Sequence, residues 1–182
     1  MKTESTVKFV LRLTLTLLVI TSVVAALLAL VNGITAPIIA AAKEEKTQKA
    51  IETVLPGGGE EIPVPEGFPL VTSAYASDTG YAVEVTPGGF NGTVTMMVGV
   101  DKEGNVLNIS VISHTETASL GAVAAATTSA GENFRGQFAG MRDSVAVTKD
   151  GGEVEAITGA TITSRAICAG VNAALEFVAS LG

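Results

Sequence analysis

One stretch limits what this chain can fold into. From Leu13 to Asn32 no residue carries a charge, and after Arg12 the next ionisable side chain is Lys43. The run LTLTLLVITSVVAALLALV is Leu, Val and Ala with a few Thr and Ser. A helix needs about 20 such residues to cross the hydrocarbon core of a bilayer. Thr and Ser do not forbid insertion, because their hydroxyls bond back to the helix's own carbonyls. A cleaved signal peptide is the rival, with Lys2, Lys8 and Arg12 as its basic start and Ala40-Ala41-Ala42 imitating a cleavage site. Its apolar region would span only about 7–15 residues, and Ala42 lies well beyond the end of this one. A buried core helix is disfavoured because the run is apolar on every face. The reading is a retained transmembrane anchor. Lys2, Lys8 and Arg12 outweigh Glu4, which holds the N-terminus in the cytoplasm and places everything after about Asn32 outside it.

That outer portion carries eight Lys/Arg against seventeen Asp/Glu, and an acidic surface argues against nucleic acid as a partner. The single cysteine, Cys168, excludes an intrachain disulfide, a four-thiolate cluster and a CxxCH haem site within the chain. It sits at an apolar position of a helical pattern and reads as buried and inert. No group of residues has metal-ligand spacing.

Pro37 can kink or end the first helix. From Ile38 to Leu55 the pattern is amphipathic, with KEEK on a solvated face, and PGGG at Pro56 stops it. EEIPVPEGFP reads as a Pro-rich connector. From about Val71 the period becomes two. YAVEV alternates, and TVTMMVGV puts Val94, Met96, Val98 and Val100 on one face. DKEGN is a hairpin turn, and VLNISVIS returns with Leu107, Ile109 and Val111 aligned. Met96 and Met97 fall on opposite faces as packing residues. A loop, Ala-rich helical material and a Gly-broken connection follow. SVAVTKDGGEVEAIT reads as a further hairpin turning at Lys149-Asp150-Gly151-Gly152. In the last segment Ile167, Val171, Ala174, Leu175, Val178 and Leu181 recur at helical spacing. The expected class is α+β: a transmembrane helix and a stalk helix, then a small mixed domain. The expected division is 1–36 for the cytoplasmic N-terminus and anchor, 37–70 for the stalk and linker, and 71–182 for the extracytoplasmic domain.

The segment ITGATITSRAI, before the last helix, gathers four hydroxyls and two tiny residues. Thr163 or Ser164 is a natural N-cap. The first N–H groups of the helix then face Gly159-Ala160-Thr161, a corner suited to an anion, with Arg165 close by. Gly159 and Ala160 leave room for a bulky group to approach the backbone. Ordinary helix capping explains the same residues, and the P-loop spacing is absent.

The rest of the chain bears on that choice. Thr158-Gly159-Ala160-Thr161-Ile162-Thr163-Ser164 resembles the S/T-G-A-T-x-T-S motif of the covalent FMN-binding domain. That domain occurs in the G subunit of the Rnf electron-transport complex and the C subunit of the sodium-pumping NADH:quinone oxidoreductase. His114-Thr115-Glu116-Thr117-Ala118-Ser119-Leu120-Gly121-Ala122 resembles the family's HxETPGLG loop, with Ala118-Ser119 replacing Pro-Gly. The hairpin GFNGTVTMMVGVDKEGNVLNISVISH resembles the family's pattern before that loop. Length and layout are closer to the Rnf subunit.

The resemblance implies an FMN joined through its phosphate to Thr161 by a separate flavin transferase. That enzyme recognises D-x-x-S/T-G-A-T, and Glu155 stands here in the place of Asp. The resemblance further implies Thr158, Gly159, Ala160, Thr163 and Ser164 around the phosphate. Glu116 and Thr117 would meet the polar edge of the ring, and Leu120 and Gly121 its face. His114 would stand near the flavin or hold the loop by hydrogen bonds. The protein would relay electrons between ferredoxin and NAD⁺ in an ion-translocating complex, with membrane subunits, the transferase and the lipid bilayer as partners. Two alternatives stay open: a stand-alone anchored flavoprotein reductase, and an extracytoplasmic binding module that never receives a flavin.

Overall fold

Helix α1 (Lys2–Val54) runs without a break through both the apolar stretch and the expected stalk. The computed structural model describes residues 2–182, with side chains from Thr6 onward, so the side chains of Lys2 and Glu4 lie outside the description. Of the two outcomes expected at Pro37, an end to the helix does not occur, and the proline lies inside it. A proline removes one helical hydrogen bond and crowds the carbonyl four residues earlier. That residue is Gly33, and the helix continues past the pair. The chain divides into two compact units, Met1–Glu45 and Lys46–Gly182.

In the first unit, large apolar side chains are exposed all round: Leu11, Leu15, Leu18, Leu28 and Ile39 among them. A helix apolar on every side is made for lipid rather than water. Several threonine hydroxyls along it bond back to the helix. Thr14 donates to the Val10 carbonyl at 3.0 Å, Thr16 to Arg12 at 2.8 Å and Thr21 to Leu17 at 2.9 Å.

The second unit is built on a five-stranded antiparallel sheet in sequential order. Its strands are β1 (Glu60–Ile62), β2 (Val71–Ala76), β3 (Gly80–Val85), β4 (Val94–Asp101) and β5 (Val106–His114). The connector EEIPVPEGFP thus contributes an edge strand, Glu60 pairing with Ala76. Between β5 and the last helix lie a 3-10 helix, Gly121–Ala125, and α2 (Ser129–Gly136). Helix α3 (Thr161–Ser180) covers one face of the sheet, where Val94, Met96, Val98 and Val100 pack with Ile167, Val171, Ala174 and Phe177. The end of α1 covers the other, where Ala50, Ile51, Val54 and Leu55 meet Ala82, Met97 and Ile112. Each large side chain so buried contributes roughly 1.5–3 kcal/mol. Met96 and Met97 fall on opposite faces, as the period of two requires. Both layers approach closely. A Cβ at Gly99 would collide with the Val54 backbone, and one at Gly170 with the Met96 and Val85 side chains.

Two details differ from the sequence pattern. Leu107 is exposed, and Ile112 is buried on the α1 side, because register shifts interrupt the β4–β5 pairing at Thr95/Met96 and Gly99/Val100. Each irregularity exchanges the faces of the residues that follow. The SVAVTKDGGEVEAIT segment is not an antiparallel hairpin. Val147 and Val154 form a single parallel bridge around a 3-10 turn, Thr148–Asp150. Gly151 (φ 87°) and Gly152, pressed against the Ala146 carbonyl, let the chain double back too tightly for two strands to pair.

Candidate functional site

Helix α3 begins earlier than its hydroxyl pattern suggests. Its N-cap is Ala160 (φ −127°, ψ 43°), with no side-chain capping bond. Thr163 and Ser164 therefore lie in the first turn and do other things. The Ser164 Oγ accepts from the Ile157 N–H and donates to the Ala160 carbonyl, both at 3.0 Å, and the residue is fully buried. The Ala160 N–H donates to the Ile157 carbonyl at 2.9 Å, closing a turn with Gly159 at φ 78° in its third position. A type II turn demands that sign, and glycine supplies it without strain. The Ser164 N–H donates to the Ala160 carbonyl at 3.0 Å and so makes the first backbone bond of the helix. The N–H groups of Thr161, Ile162 and Thr163 are left without backbone acceptors among the described residues. An uncapped helix start of this kind presents donors and a partial positive charge.

The residues that carry those donors line a cleft of about 370 Å³, together with Phe90, Glu116, Thr117, Leu120, Gly121, Lys149, Gly159 and Ala160. Three segments supply its main walls. The turn before β4 brings Phe90, the loop after β5 brings Glu116 to Gly121, and α3 brings Thr161. Glu116 ties all three. Its Oε1 accepts from the Asn91 N–H at 3.0 Å, its Oε2 accepts from the Thr163 hydroxyl at 2.5 Å, and its own N–H donates to His114 Nδ1 at 3.2 Å. Burial by itself would raise the Glu116 pKa. The Thr163 hydroxyl, the Asn91 and Phe90 backbone and the nearby His114 outweigh it and hold the carboxyl below its ordinary value. Gly121 is required beside it: a Cβ there would lie 2.5 Å from Glu116 Oε2 and 2.6 Å from Thr163 Oγ1.

The expected site residues are not all brought together. Glu116, Thr117, Leu120, Gly121, Gly159, Ala160, Thr161 and Thr163 share the cleft. Thr158 and Glu155 line a separate groove, with Ser119, Phe134 and Gln137. His114 lines a third, with Lys46 and Lys49, and holds the loop by its hydrogen bond. Ser164 turns inward. Arg165 is not offered to an anion, because Asp150 grips it at two points, 2.6 Å each. That pair fastens the 148–150 turn to α3 and sets Lys149 at the cleft. Lys149, Phe90 and Ile162 were not foreseen from the sequence. Phe90 and Ile162 are 68% and 50% exposed, so they serve a surface rather than the core. The one sequence signal for Phe90 was an aromatic residue set among turn-forming glycines.

Residues 89–176 match the family model of the FMN-binding domain. Over 95% of its length the chain is 30% identical to the G subunit of an ion-translocating oxidoreductase complex of Methanosarcina acetivorans, covering 96% of that protein. It is 34% identical, over 84% of the chain and 82% of the relative, to the G subunit of a proton-translocating ferredoxin:NAD(+) oxidoreductase complex of Clostridium ljungdahlii. It is 32% identical, over 96% and 94%, to the G subunit of a Na(+)-translocating ferredoxin:NAD(+) oxidoreductase complex of Acetobacterium woodii. The chain belongs to the family of G subunits of these complexes.

In this chain the matched FMN-binding domain contains every wall of the cleft, from Phe90 to α3. Its residues suit the cofactor. The open N–H groups of α3 and the Lys149 ammonium fit a phosphate. The exposed apolar side chains of Phe90, Leu120 and Ile162 fit a flat aromatic ring. Among the described residues no cluster of His, Cys, Asp or Glu could hold a metal.

Proposed function

We propose that this chain is the membrane-anchored flavoprotein subunit of an ion-translocating ferredoxin:NAD oxidoreductase complex, carrying FMN as a phosphoester on Thr161. One observation carries the choice of residue. Of the four hydroxyls in the 157–167 segment, those of Thr163 and Ser164 are buried and engaged, and Thr158 lies outside the cleft. The Thr161 hydroxyl lines the cleft, is half-buried, and bonds no protein group among the described residues.

The residues divide the work. Thr161 Oγ takes the FMN phosphoryl group from FAD: the new P–O bond forms as the bond to AMP breaks, and the hydroxyl proton leaves. A flavin transferase catalyses this step, using Mg²⁺, and reads Glu155 with the Thr158–Thr161 motif. The α3 N–H groups and Lys149 offset the phosphate charge. Phe90, Leu120 and Ile162 give the ring apolar contact. Glu116 shapes the wall between them, because each of its oxygens already accepts a protein hydrogen bond. Bound FMN supplies one- and two-electron transfer, in a chain with no other evident redox group. A covalent link suits an extracytoplasmic site, where lost FMN is not replaced.

The proposed topology follows the basic flank: a cytoplasmic N-terminus and transmembrane helix over 1–36, a stalk and linker over 37–70, and the FMN domain outside over 71–182. The lipid bilayer and the other membrane subunits of the complex are its partners.

The test is intact mass and in-gel fluorescence of the denatured chain, produced with and without a flavin transferase. One added FMN mass and a fluorescent band are expected with the transferase, and neither in Thr161→Ala. Modification that persists in Thr161→Ala, or an unmodified wild type beside a modified control acceptor, overturns the assignment. Purification with partner subunits separates a complex subunit from a stand-alone reductase.

A further inference from the structure

Ahead of α3 the chain is pinned by a residue that lies outside the motif. Gln137, which closes α2, turns its side-chain amide onto the backbone of Glu155. Its Oε1 accepts from the Glu155 N–H at 2.7 Å, and its Nε2 donates to the Glu155 carbonyl at 3.3 Å. One side chain thereby gives one residue the pair of bonds a neighbouring strand would give it. Two residues on, Ser164 Oγ takes the Ile157 N–H, and the Ile157 carbonyl closes the turn to Ala160. The backbone between Glu155 and Thr161 is thus held at 155, 157 and 160, while the Glu155 side chain stays exposed.

We infer that Gln137 is a positioning residue for the modification of Thr161. By gripping the Glu155 backbone it sets the spacing between the Glu155 carboxylate and the Thr161 hydroxyl, which a modifying enzyme must engage together. The groove lined by Gln137, Glu155 and Thr158 is where that enzyme reads the acceptor. This rests on the reading that Thr161 receives FMN from a flavin transferase. The physical reason is preorganisation. An acceptor segment already fixed in shape spares the encounter the entropy of fixing it, and small displacements of a reacting atom are costly in rate. A purely structural Gln137 would tie down the end of α2 and alter stability alone.

The test uses the full chain in detergent micelles, prepared without FMN and incubated with limiting flavin transferase, FAD and Mg²⁺. Intact mass follows the FMN-bearing fraction with time, and near-UV circular dichroism measures the folded fraction. Gln137→Leu removes both bonds to Glu155, together with the 3.5 Å donation from Nε2 to the Phe134 carbonyl within α2, and its initial rate per folded chain is expected to fall about tenfold, as for the loss of such a pair. Gln137→Glu keeps the bond from the Glu155 N–H, loses the donation to the carbonyl, and should fall between. Rates per folded chain equal to wild type in these variants overturn the positioning role. If Gln137→Leu does not fold, Gln137→Glu carries the test on the same terms. A wild type that takes no FMN beside a modified control acceptor overturns the Thr161 reading, and this role with it. A modified wild type with unaffected variants overturns this role alone.

Discussion

The Thr163 hydroxyl donates to Glu116 Oε2 across 47 residues of sequence, at 2.5 Å. This bond joins the first turn of α3 to the loop after β5, and so holds two walls of the cleft together. Because the Asn91 N–H occupies the other carboxylate oxygen, the same side chain also fixes the third wall.

Glu116→Gln is expected to destabilise the folded domain by about 2 kcal/mol at pH 7, the usual scale for hydrogen bonds to a charged group. The pH dependence has a definite sign. The folded-state pKa of Glu116 lies below its unfolded value, so its contribution is complete above the unfolded value. It is lost as the pH falls through the folded value. The difference between wild type and variant should therefore be largest near neutrality and shrink below about pH 4. Equilibrium unfolding in detergent from pH 7 to pH 3 checks this, and a constant gap would contradict it.

Gly121→Ala should cost about 1–3 kcal/mol, because the new methyl must displace either the Glu116 carboxylate or the Thr163 hydroxyl. Gly136→Ala, where a Cβ meets open space at the end of α2, should instead be neutral or mildly stabilising. Thermal unfolding of the two variants side by side separates them. Equal melting temperatures would mean the Glu116 wall yields easily.

Lys149→Glu places an anion where the cleft now presents a cation. The fraction of chains carrying FMN should drop roughly fivefold, and Lys149→Arg should hold near wild type. The effect should be larger at low ionic strength, since the side chain is exposed and screened. The FMN-to-protein ratio measured at two salt concentrations decides. A ratio indifferent to the sign of residue 149 would remove Lys149 from the site.

Cys168 is buried in α3, and burial pushes its thiol up to about 11. A maleimide at pH 8 should leave the native chain unlabelled and label it fully after denaturation. Rapid native labelling would place Cys168 in an open environment and argue against the packing of α3 on the sheet.

Several parts of the molecule were open to reading from the residues in order. The uncharged run announces a lipid-facing helix, because charge exclusion over that length has few other causes. The alternation through β4 places Met96 and Met97 on opposite faces. The apolar period of α3 matches its buried side at Ile167, Val171, Ala174, Leu175 and Val178, and departs from it at the exposed Leu181, past the helix end. Each of these signals is local and repeats at the period of its element.

What failed to show has a different origin. Pro37 stays inside α1, where a proline's local preference would end or kink a helix. The start of α3 moved to Thr161 because the hydroxyls that look like caps are spent elsewhere, Thr163 on Glu116 and Ser164 on the 157–160 turn. Arg165 lies close to Thr161 in sequence, yet Asp150 takes it and the fold brings up Lys149 instead. By itself the sequence determined the uncharged apolar helix, the faces of β4, the class of cofactor through its motifs, and, through the resemblance, Thr161 as the expected acceptor. Only the tertiary structure decided that Thr163 and Ser164 are engaged elsewhere, and which cation and apolar groups line the cleft with Thr161. Such choices depend on which donors find acceptors across tens of residues, and that pairing exists only once the loops after β3 and β5 and the start of α3 are packed together.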